Sequence, residues 1–114
     1  GWDGIGAINR FNLFHFRRSL AQQPSNRLVQ LISSDAVFQD PASVRRAYAE
    51  SWALTYFLVK TRGEQYRDYI KRLAEQSPLL RSDAQQRLAL VRASFGVDLL
   101  ELEEDWIRYM RKLK

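Results

Sequence analysis

The sequence predicts an all-α fold, a compact array of about five to six helices around a buried central helix at about residues 41–62. Two observations lead to this class. Residues 47–63 are apolar on nearly every side of a helix, and such a helix has to be surrounded by others. Elsewhere apolar residues recur at steps of three and four, and strand-like alternation does not persist beyond a few residues after Phe11.

The chain length and composition indicate one folded domain. The 114 residues suffice for a single core, and a hydrophobic fraction of 46% excludes a disordered chain. We therefore expect a single helical domain over residues 1–114, with residues 1–11 as an irregular, glycine-containing lead-in arm. Because the chain starts on glycine rather than methionine, we expect it to be a fragment of a larger protein.

Two helices are expected before the central one. The first covers about residues 12–22 and ends before Pro24, because proline cannot continue a helical backbone. The second is capped by Ser25 or Asn26 and ends near Ser34. The apolar residues of these two helices are Leu13, Phe14, Phe16, Leu20, Leu28, Leu31 and Ile32.

The central helix is expected to begin at Pro41, with Asp40 as its N-cap, and to end at about Arg62. Gly63 is expected to stop it by adopting a left-handed conformation. Its apolar residues are Val44, Ala47, Tyr48, Trp52, Leu54, Tyr56, Phe57, Leu58 and Val59. Its solvated stripe comprises Arg45, Arg46, Glu50, Thr55 and Lys60.

Three further helices are predicted. The first covers residues 64–76 and has one buried face. The second begins with a capping box that starts at Ser82 and is stopped by Gly96. The last is capped by Asp98 and carries Leu99, Leu102, Trp106, Tyr109 and Leu113 on one stripe. We expect its early acidic residues to compensate the helix dipole rather than bind a divalent ion; these are Glu101, Glu103, Glu104 and Asp105.

The net charge of +5 raises the question of a nucleic-acid partner. The arginines and lysines are spread along the predicted helices rather than gathered in one recognised motif, so we expect a solvated basic surface and no nucleic-acid partner. No apolar run is long enough for a membrane span, and we expect a monomer. The compartment stays open, because the chain has no cysteine.

The chain offers little for catalysis or for metal binding. It has no cysteine and one histidine, so we expect no metal and no cofactor in this chain. His15 lies between Phe14 and Phe16, where a single imidazole usually packs at a helix edge. Six aromatic residues follow helical spacing and are expected in the core rather than in a ligand pocket; these are Trp52, Tyr56, Tyr66, Tyr69, Trp106 and Tyr109. Trp2 and Ile5 in the arm are the apolar residues most expected to pack on a missing neighbour.

Two segments carry a resemblance to a known family. Residues 47–58 read Ala-Tyr-Ala-Glu-Ser-Trp-Ala-Leu-Thr-Tyr-Phe-Leu, and residues 95–109 read Phe-Gly-Val-Asp-Leu-Leu-Glu-Leu-Glu-Glu-Asp-Trp-Ile-Arg-Tyr. In order and spacing they resemble the C-terminal helical part of the bacterial peptidase-MA-like domains, a family of unknown function related to the gluzincin zinc metallopeptidases. The resemblance covers about residues 9–113.

The resemblance implies a non-catalytic helical subdomain that forms one wall of a peptidase cleft. Gluzincins hold zinc with a His-Glu-x-x-His motif and a glutamate on the following helix, and none of these is present in this chain. Zinc would therefore be bound outside this chain, in a missing N-terminal catalytic half that is the expected partner. The alternative is a helical protein-interaction module with an unknown partner.

One residue is implied to act in a complete parent protein. Gluzincin aminopeptidases carry a Tyr-x-x-Gly motif whose tyrosine donates to the oxyanion of the tetrahedral intermediate. Tyr48 occupies the similar position, with Ser51 in place of the glycine. A phenol suits this role, since it donates without a charge change near neutral pH. The alternative is a structural hydroxyl near a helix start.

Overall fold

A computed structural model describes residues 8–21, 27–33, 41, 44–77 and 83–113. These residues form helices and no strand, which confirms the all-α prediction. The helices are α1 (Arg10–Ser19), α2 (Arg27–Ser33), α3 (Val44–Thr61), α4 (Gly63–Glu75), α5 (Ala84–Phe95) and α6 (Leu99–Lys112).

The long helix α3 is the centre of the array, as its apolar pattern predicts. It packs most extensively against α1 and also contacts α2, α4 and α6. Ala49 and Ala53 are fully buried one turn apart, and small side chains let neighbouring helices approach closely. The described helix covers Val44–Thr61, and Pro41, where it was expected to begin, lies in a turn. The predicted N-cap Asp40 and residues 42–43 lie outside the described residues.

The core is built around Trp106 on α6. Trp106 is fully buried, and its ring lies 5.2 Å from that of Phe16 on α1. The other fully buried large apolar side chains are Phe16, Phe57, Leu28, Leu102 and Met110. The predicted stripe of α5 is also buried, at Leu88, Val91 and Phe95. The spacing argument therefore predicts most of the core, although it did not single out Met110.

The first helix starts earlier than the sequence suggested. Asn9 is its N-cap, since the Asn9 Oδ1 accepts a hydrogen bond from the Asn12 backbone N–H at 3.0 Å. Phe14, one of the apolar residues of the helical pattern, is 59% exposed, whereas Leu13 and Phe16 are buried and form the inward side of α1. Pro24 and the proposed caps Ser25 and Asn26 lie outside the described residues.

The two predicted glycine stops behave differently. Gly96 has φ 65° and ends α5, with its N–H donating to the Arg92 carbonyl at 2.8 Å. Gly63 has no positive φ and is the first residue of α4. The break between α3 and α4 lies at Arg62, with φ −138° and ψ 48°, so the predicted role of Gly63 is wrong.

The N-cap of α5 is Asp83, one residue after the predicted Ser82, which lies outside the described residues. The Asp83 Oδ1 accepts hydrogen bonds from the backbone N–H groups of Gln85 and Gln86 at 2.8 and 3.1 Å. Asp98 is the N-cap of α6, as predicted, but its side chain makes no capping hydrogen bond. Asn9 and Asp83 therefore cap their helices through a side-chain oxygen, whereas Asp98 does not.

Candidate functional site

A buried ionic cluster joins α1, α2 and α3, and it consists of Arg27, Glu50, Arg46 and Ser19. Arg27 is 1% exposed, and its Nη1 donates to the Glu50 Oε1 at 3.2 Å. Glu50 is 6% exposed, although its position on α3 had predicted a solvated residue. That prediction is wrong because α2 places the Arg27 guanidinium over this part of α3.

The remaining hydrogen bonds of the cluster hold the Arg27 guanidinium in place. Nη1 also donates to the Ser19 Oγ at 3.0 Å, and Nη2 donates to the Ser19 carbonyl. The Ser19 hydroxyl in turn donates to the Phe16 carbonyl at 2.6 Å. Arg46, one turn before Glu50, lies 3.4 Å from the same carboxylate oxygen. Glu50 is thus shared by two guanidinium groups.

Burial and charge act in opposite directions on this pair. Burial raises the pKa of the Glu50 carboxyl, and the Arg27 and Arg46 guanidinium groups oppose that rise. Burial also lowers the pKa of Arg27, which Glu50 opposes. Since the acceptor is occupied by two cations and shielded from solvent, the cluster organises the fold and offers no free base.

A second buried carboxylate connects the last helix to the second. The Glu103 Oε1 on α6 accepts a hydrogen bond from the Leu28 backbone N–H at 2.7 Å. Leu28 is in the first turn of α2, where backbone N–H groups have no helical partner. Glu103 therefore satisfies a backbone group of another helix, a role that the sequence pattern does not predict for it.

The rest of the acidic run on α6 forms ordinary surface contacts. Asp105 accepts from Arg62 at 3.0 Å and from Arg108 at 3.1 Å. Glu101 and Glu104 are exposed. Within the part of the chain that the structure describes, no three histidine, cysteine, aspartate or glutamate side chains come together as a metal site.

Next to the buried ionic cluster is an open basic cleft of about 200 Å³ between α1 and α3. His15, Arg18 and Ser19 line it from α1, and Arg45 and Arg46 line it from α3. The His15 ring packs edge-on against Phe11 at 4.4 Å and against Phe14 at 5.3 Å. The ring therefore packs at the edge of α1, as predicted, and it is half-buried.

An exposed aromatic surface continues from this cleft. Phe11 and Phe14 on α1 are each 59% exposed, and Tyr48 on α3 is 61% exposed. The Arg45 guanidinium lies 5.6 Å from the centre of the Phe11 ring, and Tyr48 follows Arg45 by one helical turn. We call this surface the α1–α3 face and define it by Phe11, Phe14, His15, Arg45 and Tyr48.

Tyr48 had been placed in the apolar set of the central helix, and its exposure corrects that placement. Most of the other aromatic residues pack as predicted. Tyr109 lies 5.5 Å from Phe57, and Tyr69 lies 5.7 Å from Phe95. The two arm residues suspected of needing a partner, Trp2 and Ile5, lie outside the described residues.

The helices and this surface define a class of protein, a small all-α domain whose distinctive features are a buried ionic cluster and an exposed face of aromatic and basic residues. None of the helices in the described ranges is both long and apolar enough to cross a bilayer.

The chain belongs to the family of proteins of unknown function DUF1570, whose model matches residues 1–80. The match includes α1 to α4, and with them the basic cleft and the α1–α3 face. Comparison with curated proteins finds no match, and comparison with solved structures also finds none.

Proposed function

We propose that this domain is the non-catalytic C-terminal wall of the cleft in a larger, gluzincin-like zinc metallopeptidase. In this proposal the zinc and its ligands belong to an N-terminal half outside this chain, and Tyr48 faces the cleft. The observation that carries the proposal is the 61% exposure of Tyr48 on the central helix, Val44–Thr61, where it is the one large hydrophobic side chain that is exposed.

An exposed phenol on the central helix is suited to transition-state stabilisation. A hydroxyl that donates to an oxyanion has to face the substrate rather than the core. The helix that carries Tyr48 is held from several sides, by α1, α2, α4 and α6. A donor on such a rigid element keeps its position during the reaction, which is what electrostatic preorganisation requires.

The α1–α3 face also supports contact with an N-terminal half. Phe11 and Phe14 project from the first helix, close to where the preceding chain enters the domain. Exposed aromatic side chains that lie together mark a surface that another protein element covers. In this proposal the element that covers the α1–α3 face is the catalytic half.

The test is Tyr48→Phe in the full-length protein. Loss of one oxyanion donor should lower turnover by about a hundredfold, while the free energy of unfolding should change by less than about 1 kcal/mol. Tyr66→Phe on α4 is the matched control and should leave turnover unchanged. Normal turnover in the Tyr48→Phe protein would contradict a catalytic role for Tyr48.

The sequence upstream of Gly1 gives an independent test. A His-Glu-x-x-His motif within about a hundred residues upstream is expected from the organisation of the related peptidases. If the full-length protein has no such motif, the peptidase parent is wrong. The α1–α3 face would then favour the second candidate, a helical module that binds another protein through Phe11 and Phe14.

A further inference from the structure

The basic cleft between α1 and α3 has an unbalanced charge. Three arginines line it: Arg18, Arg45 and Arg46. The carboxylate that reaches Arg46 belongs to Glu50, and Glu50 is also paired with the buried Arg27. The single negative charge of Glu50 is therefore shared by Arg27 and Arg46. The positive charges of Arg18, Arg45 and Arg46 repel one another, and a bound anion would relieve this repulsion.

The three arginines of the cleft make few contacts with other side chains. Among the described residues, Arg18 and Arg45 form no ion pair with a carboxylate. The Arg45 guanidinium contacts the Phe11 ring, 5.6 Å from its centre. Arg46 meets Glu50 through Nε at 3.4 Å, and its side chain is 30% exposed. Several donors on two helices thus remain available to a ligand.

The size and charge of the cleft narrow the class of ligand. Its volume of about 200 Å³ is below the ~300–1,000 Å³ of pockets for drug-sized molecules, so a small group fits best. Guanidinium groups recognise carboxylate and phosphate oxygens by paired, charge-assisted hydrogen bonds. Three arginines that approach from two helices match the several oxygens and the double negative charge of a phosphate better than the two oxygens of a carboxylate.

We propose that this cleft binds a phosphate group through Arg18, Arg45 and Arg46, with the His15 ring as one wall. The phosphate is either free in solution or part of a small phosphomonoester. Ser19 forms the floor and is not a ligand, because its hydroxyl is already bonded to Phe16 and Arg27. Neither Tyr48 nor a zinc site takes part in this proposal, although His15 and Arg45 belong both to the cleft and to the α1–α3 face.

The test is titration of the 114-residue chain with inorganic phosphate and, separately, with phenyl phosphate, at constant low ionic strength. Two-dimensional NMR should show saturable shifts for residues of α1 and the first turns of α3, including the His15 ring resonances. Acetate at equal charge concentration should shift them far less. Binding of phenyl phosphate alone would assign the site to phosphomonoesters, and binding of both would show that the phosphate group is sufficient.

Variants that remove one positive charge distinguish phosphate binding in the cleft from nonspecific attraction of phosphate to a basic protein. Arg18→Gln and Arg45→Gln should each weaken binding by about tenfold, the loss expected for one charge-assisted hydrogen-bonding partner. Arg92→Gln, which removes an exposed arginine on α5, should leave the affinity unchanged. Equal weakening by all three variants, or an absence of saturable shifts at α1 and α3, would overturn the proposal. Tyr48→Phe should bind phosphate normally, so the two proposals can fail separately.

Discussion

Arg27 on α2 and Glu50 on α3 form an ion pair of 3.2 Å in a position where both side chains are almost completely shielded from solvent. The pair connects a seven-residue helix to the central helix of the domain. A helix that short is not stable in isolation. Its position therefore depends on Arg27, on the packing of Leu28, and on the hydrogen bond from Leu28 N–H to Glu103.

Glu50→Gln should destabilise the domain by about 3 to 5 kcal/mol, because the change leaves Arg27 buried without a counter-charge. Urea unfolding monitored by circular dichroism measures this loss. Glu104→Gln on the exposed side of α6 is the matched control and should change the free energy of unfolding by less than about 0.5 kcal/mol.

A double variant checks that the cost arises from the pair. Arg27→Met combined with Glu50→Leu should cost less than the sum of the two single changes, since no charge is then left buried and alone. Strictly additive losses, or a loss below about 1 kcal/mol in Glu50→Gln, would show that the two side chains do not depend on each other.

Trp106→Ala should destabilise the domain by about 3 to 5 kcal/mol, because it empties the largest buried side-chain site in the core. Trp52→Ala should cost less, since Trp52 is only half-buried. Thermal or urea unfolding of both variants under the same conditions gives the comparison. A larger loss for Trp52 would mean that the core is centred elsewhere on α3.

The two glycines that follow helices α3 and α5 should respond oppositely to alanine. Gly63→Ala should be neutral or stabilise by up to about 1 kcal/mol, because Gly63 has no positive φ and an added Cβ meets no atom within 4 Å. Gly96→Ala should destabilise by about 1 to 2 kcal/mol, because its φ of 65° is unfavourable for alanine. Melting temperatures that moved in the same direction would refute this assignment.

Tyr69 should make the stability fall at alkaline pH. Burial raises the pKa of Tyr69 above its ordinary value of 10.0, so the folded protein holds this proton more tightly than the unfolded chain. The contribution is fully present below about pH 10 and is lost as the pH rises through the folded pKa. Between about pH 9 and about pH 11, the urea midpoint of the wild type should fall more steeply than that of Tyr69→Phe. Equal slopes would contradict the shift.

The fold was largely predictable because its evidence is local. The spacing of Leu88, Val91 and Phe95 predicts the buried face of α5, and Gly96 predicts the end of that helix. Gly63 was misjudged because a glycine after a helix is compatible with either a left-handed stop or the first turn of the next helix. The backbone angles of Arg62 show that the second case applies. No sequence pattern predicts those angles.

The buried ionic cluster was not predictable, because its members are far apart in the chain. Arg27 had no feature that singled it out, and Glu50 fell on the side of α3 expected to be solvated. Only the packing of α2 on α3 brings the two together. Tyr48, in contrast, was singled out by the family resemblance. Its exposure could not be predicted, because it depends on which face of α3 the other helices leave uncovered.

The proposed place of this domain in a larger peptidase-like protein is tested most directly by hydroxyl-radical footprinting of residues on the α1–α3 face, in the 114-residue chain and in the full-length protein. Phe11 and Phe14 should be oxidised in the short chain and protected in the full-length protein, while Tyr48 stays reactive in both. Leu100, equally exposed on α6 at 59%, is the control and should not change. Unchanged reactivity of Phe11 and Phe14, or protection of Tyr48, would contradict a cleft wall built on this face.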